Sequence, residues 1–271
     1  MQSVLTIVLL LIYSGLGAYV WGFWRNRPSE NYPLKKELMI LAPVLLLHTW
    51  TVWAPLTQGG MVLFSFGQTL NLVTWLMVLM YFIGSFFYSL KGLQIILYPM
   101  TVISLFLVLI FPGHTSSYTV HHLPFILHVG SSILAYALFG IAMVLAALIF
   151  MIETDLRKRK MSLLMRFLPP LLSLEKLMFQ AVWFGFILLT ISVASGTIFS
   201  EAVFGTPFKI SHKVVFGIAS WVIYAFVLYG RVLRSWRGRK AAIWVIVGFF
   251  SLMLAYMGSR FVLEIILNRT V

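Results

Sequence analysis

Cysteine is absent from the 271 residues, acidic residues number only seven, and charged residues of either sign make up 10% of the chain. A soluble domain carries roughly a quarter. The missing cysteine excludes a disulfide framework, thiolate metal ligation and a thiol relay. The scarcity of charge excludes water as the main solvent. The acids are Glu30, Glu37, Glu153, Asp155, Glu175, Glu201 and Glu264, and only Glu264 lies inside an apolar run, which leaves no paired-carboxylate site. A phosphate-cradling glycine motif, a zinc-protease motif and a nucleophile elbow are also missing. The chain therefore reads as non-enzymatic. With no linker, low-complexity tract or convincing internal repeat, residues 1–271 form a single polytopic membrane domain.

What is abundant is apolar length. Hydrophobic residues make up 61% of the sequence, in runs that reach the ~20 residues a helix needs to cross ~30 Å of hydrocarbon. Long Leu, Ile, Val and Phe runs lack the alternation of membrane barrel strands, so the spans are helical. They are expected at about 4–23, 37–56, 65–89, 93–112, 123–152, 177–199, 208–230 and 241–266. The fold class is thus an all-α integral membrane bundle of about eight helices. The first run has no basic segment before it and no small-residue cleavage pattern after it, so it is expected to remain as a span. The loop from Glu153 to Lys176, with Pro169 and Pro170, is expected to lie on the membrane as an amphipathic segment.

A net charge of +13 in a soluble chain would suggest nucleic acid. Here the distribution excludes that partner. Arg25, Arg27, Lys35, Lys36, Lys91, Arg157, Lys158, Arg159, Lys160, Arg166, Lys176, Arg231, Arg234, Arg237, Arg239 and Lys240 all fall in odd-numbered loops. Only Lys209, Lys213 and Arg269 fall in even loops or the tail, and Arg260 lies inside the last span. Positive charge marks the cytoplasmic side, which places the odd loops inside and both termini outside the cytoplasm.

None of the six histidines falls in a cytoplasmic loop under this topology. His114, His121 and His122 occupy the fourth loop, whereas His48, His128 and His212 lie within spans. Counting along the helices puts His48 roughly 13 Å, and His128 and His212 roughly 8 Å, below the outer surface. Three imidazoles from three helices share one layer. A histidine in lipid is costly unless it pairs, and neutral imidazole is a common axial ligand of haem iron. The plainer reading is that each ring hydrogen-bonds a neighbouring helix. His128, Ser131, Ser132, Ala135 and Tyr136 fall on one helical stripe, as do His212, Phe216, Ala219, Ser220 and Ile223. Small residues on both stripes suit a pocket or close helix packing alike. Arg260 stands level with the histidines, where it pairs with Glu264 four residues on or forks onto a carboxylate such as a haem propionate. Lys213 is a second residue for that role.

The stretch LHVGSSILAYALFGIAMVLAALIFMI at 127–152 resembles the helix of the cytochrome c assembly family that opens with a haem-associated histidine. GFILLTISVASGTIF at 185–199 and HKVVFGIASWVIYAFVLYGR at 212–231 are similar to that family's flanking helices. HTWTVWAPL at 48–56 and LFSFGQTLNLVTWL at 63–76 resemble the short, eight-span branch of HemX and YpjD type. The family-like core covers about 37–266 and is clearest over 123–234. Two departures stand out. The Trp-rich WxWDP motif of members that hand haem to apocytochrome c is replaced by PFKISHK at 207–213, and the family's late histidine gives way to Arg260 and Glu264. His128 matches a family ligand position; His212 enters through its depth alone.

The leading expectation is a non-catalytic protein of haem handling or cytochrome c assembly. It would hold haem b near the outer face through two of His48, His128 and His212, with Arg260 or Lys213 neutralising the propionates. The pair His128 and His212 is preferred as axial ligands because both begin their spans outside. The alternative is an accessory or scaffold subunit of a membrane partner, such as a transporter, that keeps the fold without haem transfer. A transporter in its own right lacks a pair of Gly/Pro-broken helices in corresponding halves. An electron carrier lacks a second ligand pair on the cytoplasmic side.

Overall fold

The computed structural model describes residues 2–26, 32–56, 61–111, 116–119, 123–159, 168–199 and 212–258. Eight α-helices occur among them: α1 (Gln2–Asn26), α2 (Leu34–Leu56), α3 (Phe66–Gly84), α4 (Gln94–Ile110), α5 (Leu123–Arg157), α6 (Leu171–Ile198), α7 (His212–Arg234) and α8 (Gly238–Met253). A π-helical turn, Leu254–Gly258, continues α8. All except α4 and α8 are long and apolar enough to cross a membrane. The α4 helix is equally apolar but has 17 residues.

The helices fall into two groups. In the first, α1 packs on α4 and α2, and α3 packs on α4 and α2. In the second, α5 packs on α6 and α8, and α7 on α8 and α6. The seam between them is the contact of α3 with α5, where Gly140 leaves room for the sulfur of Met77. On α1 the buried residues Thr6, Leu9, Tyr13, Leu16, Val20 and Trp24 recur every three or four positions, the period of one helix face. The opposite face exposes Val4, Ile7, Leu11 and Trp21, as expected where lipid replaces water. Exposed Trp50 and Trp53 near the end of α2 suit the boundary between hydrocarbon and headgroups.

The chain reverses at each connection. The Gln2 side-chain amide donates to the Thr51 carbonyl at 3.4 Å, which sets the start of α1 beside the end of α2. On that face the structure adds an element that the hydropathy pattern does not announce, an antiparallel ribbon of β1 (Met61–Phe64) and β2 (Ser116–Thr119), with Met61 opposite Thr119 and Phe64 opposite Ser116. It ties the α2–α3 connection to the α4–α5 connection. The all-helical expectation therefore holds for the bundle and is corrected at this ribbon face. Every described basic residue except Lys213 lies at the opposite, basic face.

Helix ends also differ from the hydropathy spans. The α5 helix continues to Arg157 and α6 begins at Leu171 behind Pro170, which stands at its N-cap. Both flanks of the expected surface segment are thus helical, and residues 160–167 lie outside the described set. At 1.5 Å per residue α5 is about 52 Å long, against ~30 Å of hydrocarbon, so its last turns stand clear of the apolar layer. The last part of the eighth expected span, 259–266, is outside the described residues.

Because no native thiol competes, one introduced cysteine reports its own side of the membrane. An impermeant maleimide is expected to label Ser117→Cys on the ribbon in intact cells, and Ser235→Cys between α7 and α8 only after permeabilisation. The reverse pattern would invert the orientation read from the charges.

Candidate functional site

The first turns of α5 meet the last turns of α6 because the two helices run antiparallel. His128 is half-buried at this junction. Its Nδ1 lies 2.9 Å from the Ser192 carbonyl oxygen, with Ser195 Oγ at 3.5 Å. A carbonyl only accepts, so the ring proton sits on Nδ1 and the Nε2 lone pair is the one suited to a metal. Gly196 makes the approach possible: a Cβ there would stand 2.7 Å from Cε1 and 2.9 Å from Nδ1 of the ring. Ser132 donates to the His128 carbonyl at 2.5 Å and pairs with Ser192 Oγ at 2.6 Å, fixing the polar wall beside the imidazole. Farther along the stripe, the Tyr136 hydroxyl donates to the Leu252 carbonyl at 2.5 Å, where α8 widens into its π turn. Such turns recur near functional sites.

His48 is placed differently. It is fully buried in the first helix group, about 21 Å along α2 from the basic face. Its Nδ1 is 3.1 Å from the Tyr13 hydroxyl and its Nε2 is 3.1 Å from Asn71 Oδ1. With the amide oxygen facing Nε2, that nitrogen carries the proton and Tyr13 donates to Nδ1. Both ring nitrogens are therefore used inside the group, and a metal at His48 would displace Tyr13 or Asn71.

His212 is the first residue of α7 and is exposed, with Lys213 half-buried after it. The structure thus places His128 and His212 at the ribbon-side starts of two helices of the second group, and His48 in the first group. His114, His121, His122, Arg260 and Glu264 lie outside the described residues. On the second stripe Ser220 is fully buried, while Phe216 is exposed.

Two acidic clusters at the basic face escape a reading by span. Glu37, counted at the edge of the second span, is buried at 2% exposure. Its Oε1 accepts from Tyr81 at 3.1 Å and from Tyr98, and its Oε2 faces Gln94 Nε2 at 3.4 Å. Elsewhere, Glu175 accepts the Gly238 amide at 2.5 Å and Glu153 accepts the Arg239 amide at 3.0 Å. These carboxylates occupy the positive N-terminal end of α8, the place where negative charge is favoured. Gly238 has φ +55°, and a Cβ on it would strike Glu153. Cation–ring contacts of Arg231 on Phe179 and Arg239 on Phe150 brace the same corner.

A family model described as cytochrome C assembly protein matches residues 40–267. The chain is 30% identical over 171 residues to the inner membrane protein YpjD of Escherichia coli, an alignment covering 63% of this chain and 64% of that relative. It therefore spans just under two thirds of that relative's length. Similarity to the cytochrome c biogenesis protein CcsA is more local. In Prochlorococcus marinus it is 34% identity over 88 residues, covering 32% of this chain and 28% of the relative. In Thermosynechococcus vestitus it is 35% over 86 residues, covering 32% and 27%. No solved structure matches.

Replacing His48 with Ala orphans the Tyr13 hydroxyl and the Asn71 carboxamide at once. The expected loss is about 1–3 kcal/mol of stability, since buried polar groups within membranes lose less than the same groups in water. Thermal unfolding in detergent measures it, and a melting temperature equal to wild type would contradict the buried pairing.

Proposed function

The chain belongs to the cytochrome c assembly protein family, and from that premise we propose that it is a non-catalytic, haem b-binding protein acting in cytochrome c assembly or haem handling. It is a multi-pass protein of a bacterial inner membrane. In this reading the ribbon face is periplasmic, both termini lie outside the cytoplasm, and His128 is an axial ligand, with His212 as the partner ligand from α7.

The hydrogen bond from His128 Nδ1 to the Ser192 carbonyl carries the proposal. Histidines that bind metals generally donate their other ring N–H to a carbonyl or carboxylate, which orients the ring and raises its basicity. His128 is thus oriented as a haem-ligating histidine would be, and a bound haem would supply a redox-active metal centre. The chain's own contribution is positioning. Ser192 and Gly196 hold the imidazole, Ser132 stiffens its helix turn, and the low-polarity walls of α5 and α6 limit water. Lys213 and Arg260 are the cations available to neutralise propionates. His48 supports the α1–α3 packing rather than the iron, because its two nitrogens are bonded within the first group.

The internal satisfaction of His48 also favours a second reading, an accessory subunit of another membrane protein that retains the bundle without haem. A reduced-minus-oxidised absorption spectrum separates the two. Protein produced with ample haem is expected to show a b-type signal that His128→Ala abolishes. Gly196→Val, which drives a side chain into the imidazole, should weaken haem retention by about 10–100-fold, while His48→Phe keeps the signal. A wild-type preparation without Soret absorbance supports the accessory reading, and a full signal in His128→Ala overturns the ligand assignment.

A further inference from the structure

The most unusual group outside the histidine site is Glu37. It is a carboxyl group buried where α2, α3 and α4 meet, and no ion pair reaches it among the described residues. Among the described residues the titratable groups that face it are phenols: Tyr81 from α3, Tyr98 from α4 and Tyr32 from the segment before α2. The described charged groups nearby in sequence are not paired with it, and Arg27 and Glu30 lie outside the described residues. Lys35 and Lys36 on its own helix and Arg25 at the end of α1 are exposed, and Lys91 sits in the α3–α4 turn. A buried carboxylate normally has a cation to offset its desolvation. A neutral amide would serve a purely structural role at lower cost.

The hydrogen bonds around the two oxygens are unequal. Oε1 accepts two phenol hydrogens, from Tyr81 and Tyr98. Among the described residues, the hydrogen bond of ordinary geometry that Oε2 accepts is the long 3.4 Å contact from Gln94. Beside it, the Tyr32 ring is 5% exposed and stacked on Trp24 at 4.9 Å, and its hydroxyl makes no hydrogen bond of ordinary geometry. Burial first, and then the Glu37 charge, hold the Tyr32 phenol above its ordinary value. It therefore stays a neutral hydroxyl with lone pairs to offer.

We propose that Glu37 is a proton-binding site reached from the basic face, with Oε2 as the atom that takes the proton and the Tyr32 hydroxyl oxygen as the acceptor of the O–H bond so formed. The reaction is uptake of one proton from a hydronium ion by the carboxylate, giving a neutral carboxylic acid and water. Charge in the cage goes from minus one to zero, and no electron moves. The two phenol donations to Oε1 persist in both states. The Gln94 contact does not, because a protonated Oε2 and an amide N–H are both donors.

Release of Gln94 has a route outward. Its Oε1 accepts the backbone N–H of Gly92 at 2.8 Å, and Gly92 holds φ +96° with Leu168, just before α6, packed where its Cβ would stand. The protonation state of Glu37 therefore bears on the α3–α4 turn, which touches Leu168 in addition to the α3–α5 seam. This inference does not use the haem reading, and its test needs no haem.

Infrared difference spectroscopy of the full chain in liposomes, titrated from alkaline to acid, reads the site. Only seven acids contribute, so the carbonyl stretch of one buried carboxylic acid stands out. The wild type is expected to gain such a band as pH falls. Glu37→Gln should lose it with the amide bands unchanged, and Tyr32→Phe should keep it at a shifted frequency. A wild-type spectrum without a band, or one that Glu37→Gln leaves intact, overturns the proposal. If Glu37→Gln does not fold, Tyr32→Phe and Tyr98→Phe decide: a band that neither variant shifts overturns it as well.

Discussion

A polar group placed in hydrocarbon has nothing but the protein to bind, and that constraint orders this structure more than any single contact. Serine and threonine meet it locally. Thr49, Thr69, Thr101, Thr154 and Thr197 each donate to a carbonyl four residues back on their own helix. Residues with more demanding groups meet it at long range, and these select which helices must be neighbours. Tyr13, His48 and Asn71 fasten α1, α2 and α3 together; Glu37, Tyr81 and Tyr98 do the same for α2, α3 and α4. Apolar packing alone gives lipid-bathed helices little preference for one partner over another. The polar clusters supply the selectivity.

The two helix groups use the constraint differently. The first concentrates its polar atoms in its interior, where Thr74 and Ser104 add a 2.7 Å pair between α3 and α4. The second keeps a largely apolar middle, centred on Phe139 stacked on Tyr224 at 3.7 Å, and sends its polar atoms to the ends. At one end stand His128 and its serines, and at the other the carboxylates that cap α8. At the first of these ends the Ser192 carbonyl accepts from Ser195 Oγ at 3.1 Å as well as from the His128 ring.

Much of the bundle was legible in advance. Each expected span contains a helix, since apolar length is a local property that hydropathy reads directly. The His128 stripe was legible for a related reason: Ser131, Ser132, Ala135 and Tyr136 lie within eight residues of it, inside the reach of helical periodicity. Glu37 was not, because its partners are 44 and 61 residues away and its place at the edge of a span reads as interfacial. The satisfaction of His48 was hidden likewise, with Tyr13 35 residues before it and Asn71 23 after. The ribbon escaped because strands of four residues are too short to show alternation. His212 opens the described part of α7, and among the described residues what it shares with His128 is the ribbon face.

The double carboxylate cap on α8 bears on how the protein is made. Glu153 and Glu175 precede the amides they hold by 86 and 63 residues, so their helices leave the ribosome well before the final hairpin does. The closing corner at Gly238 then has a prepared receptacle, and the last hairpin is retained by a template that the nascent chain has already built. Assembly of this corner thus has a direction, the α7–α8 turn docking at the basic face on carboxylates synthesised before it.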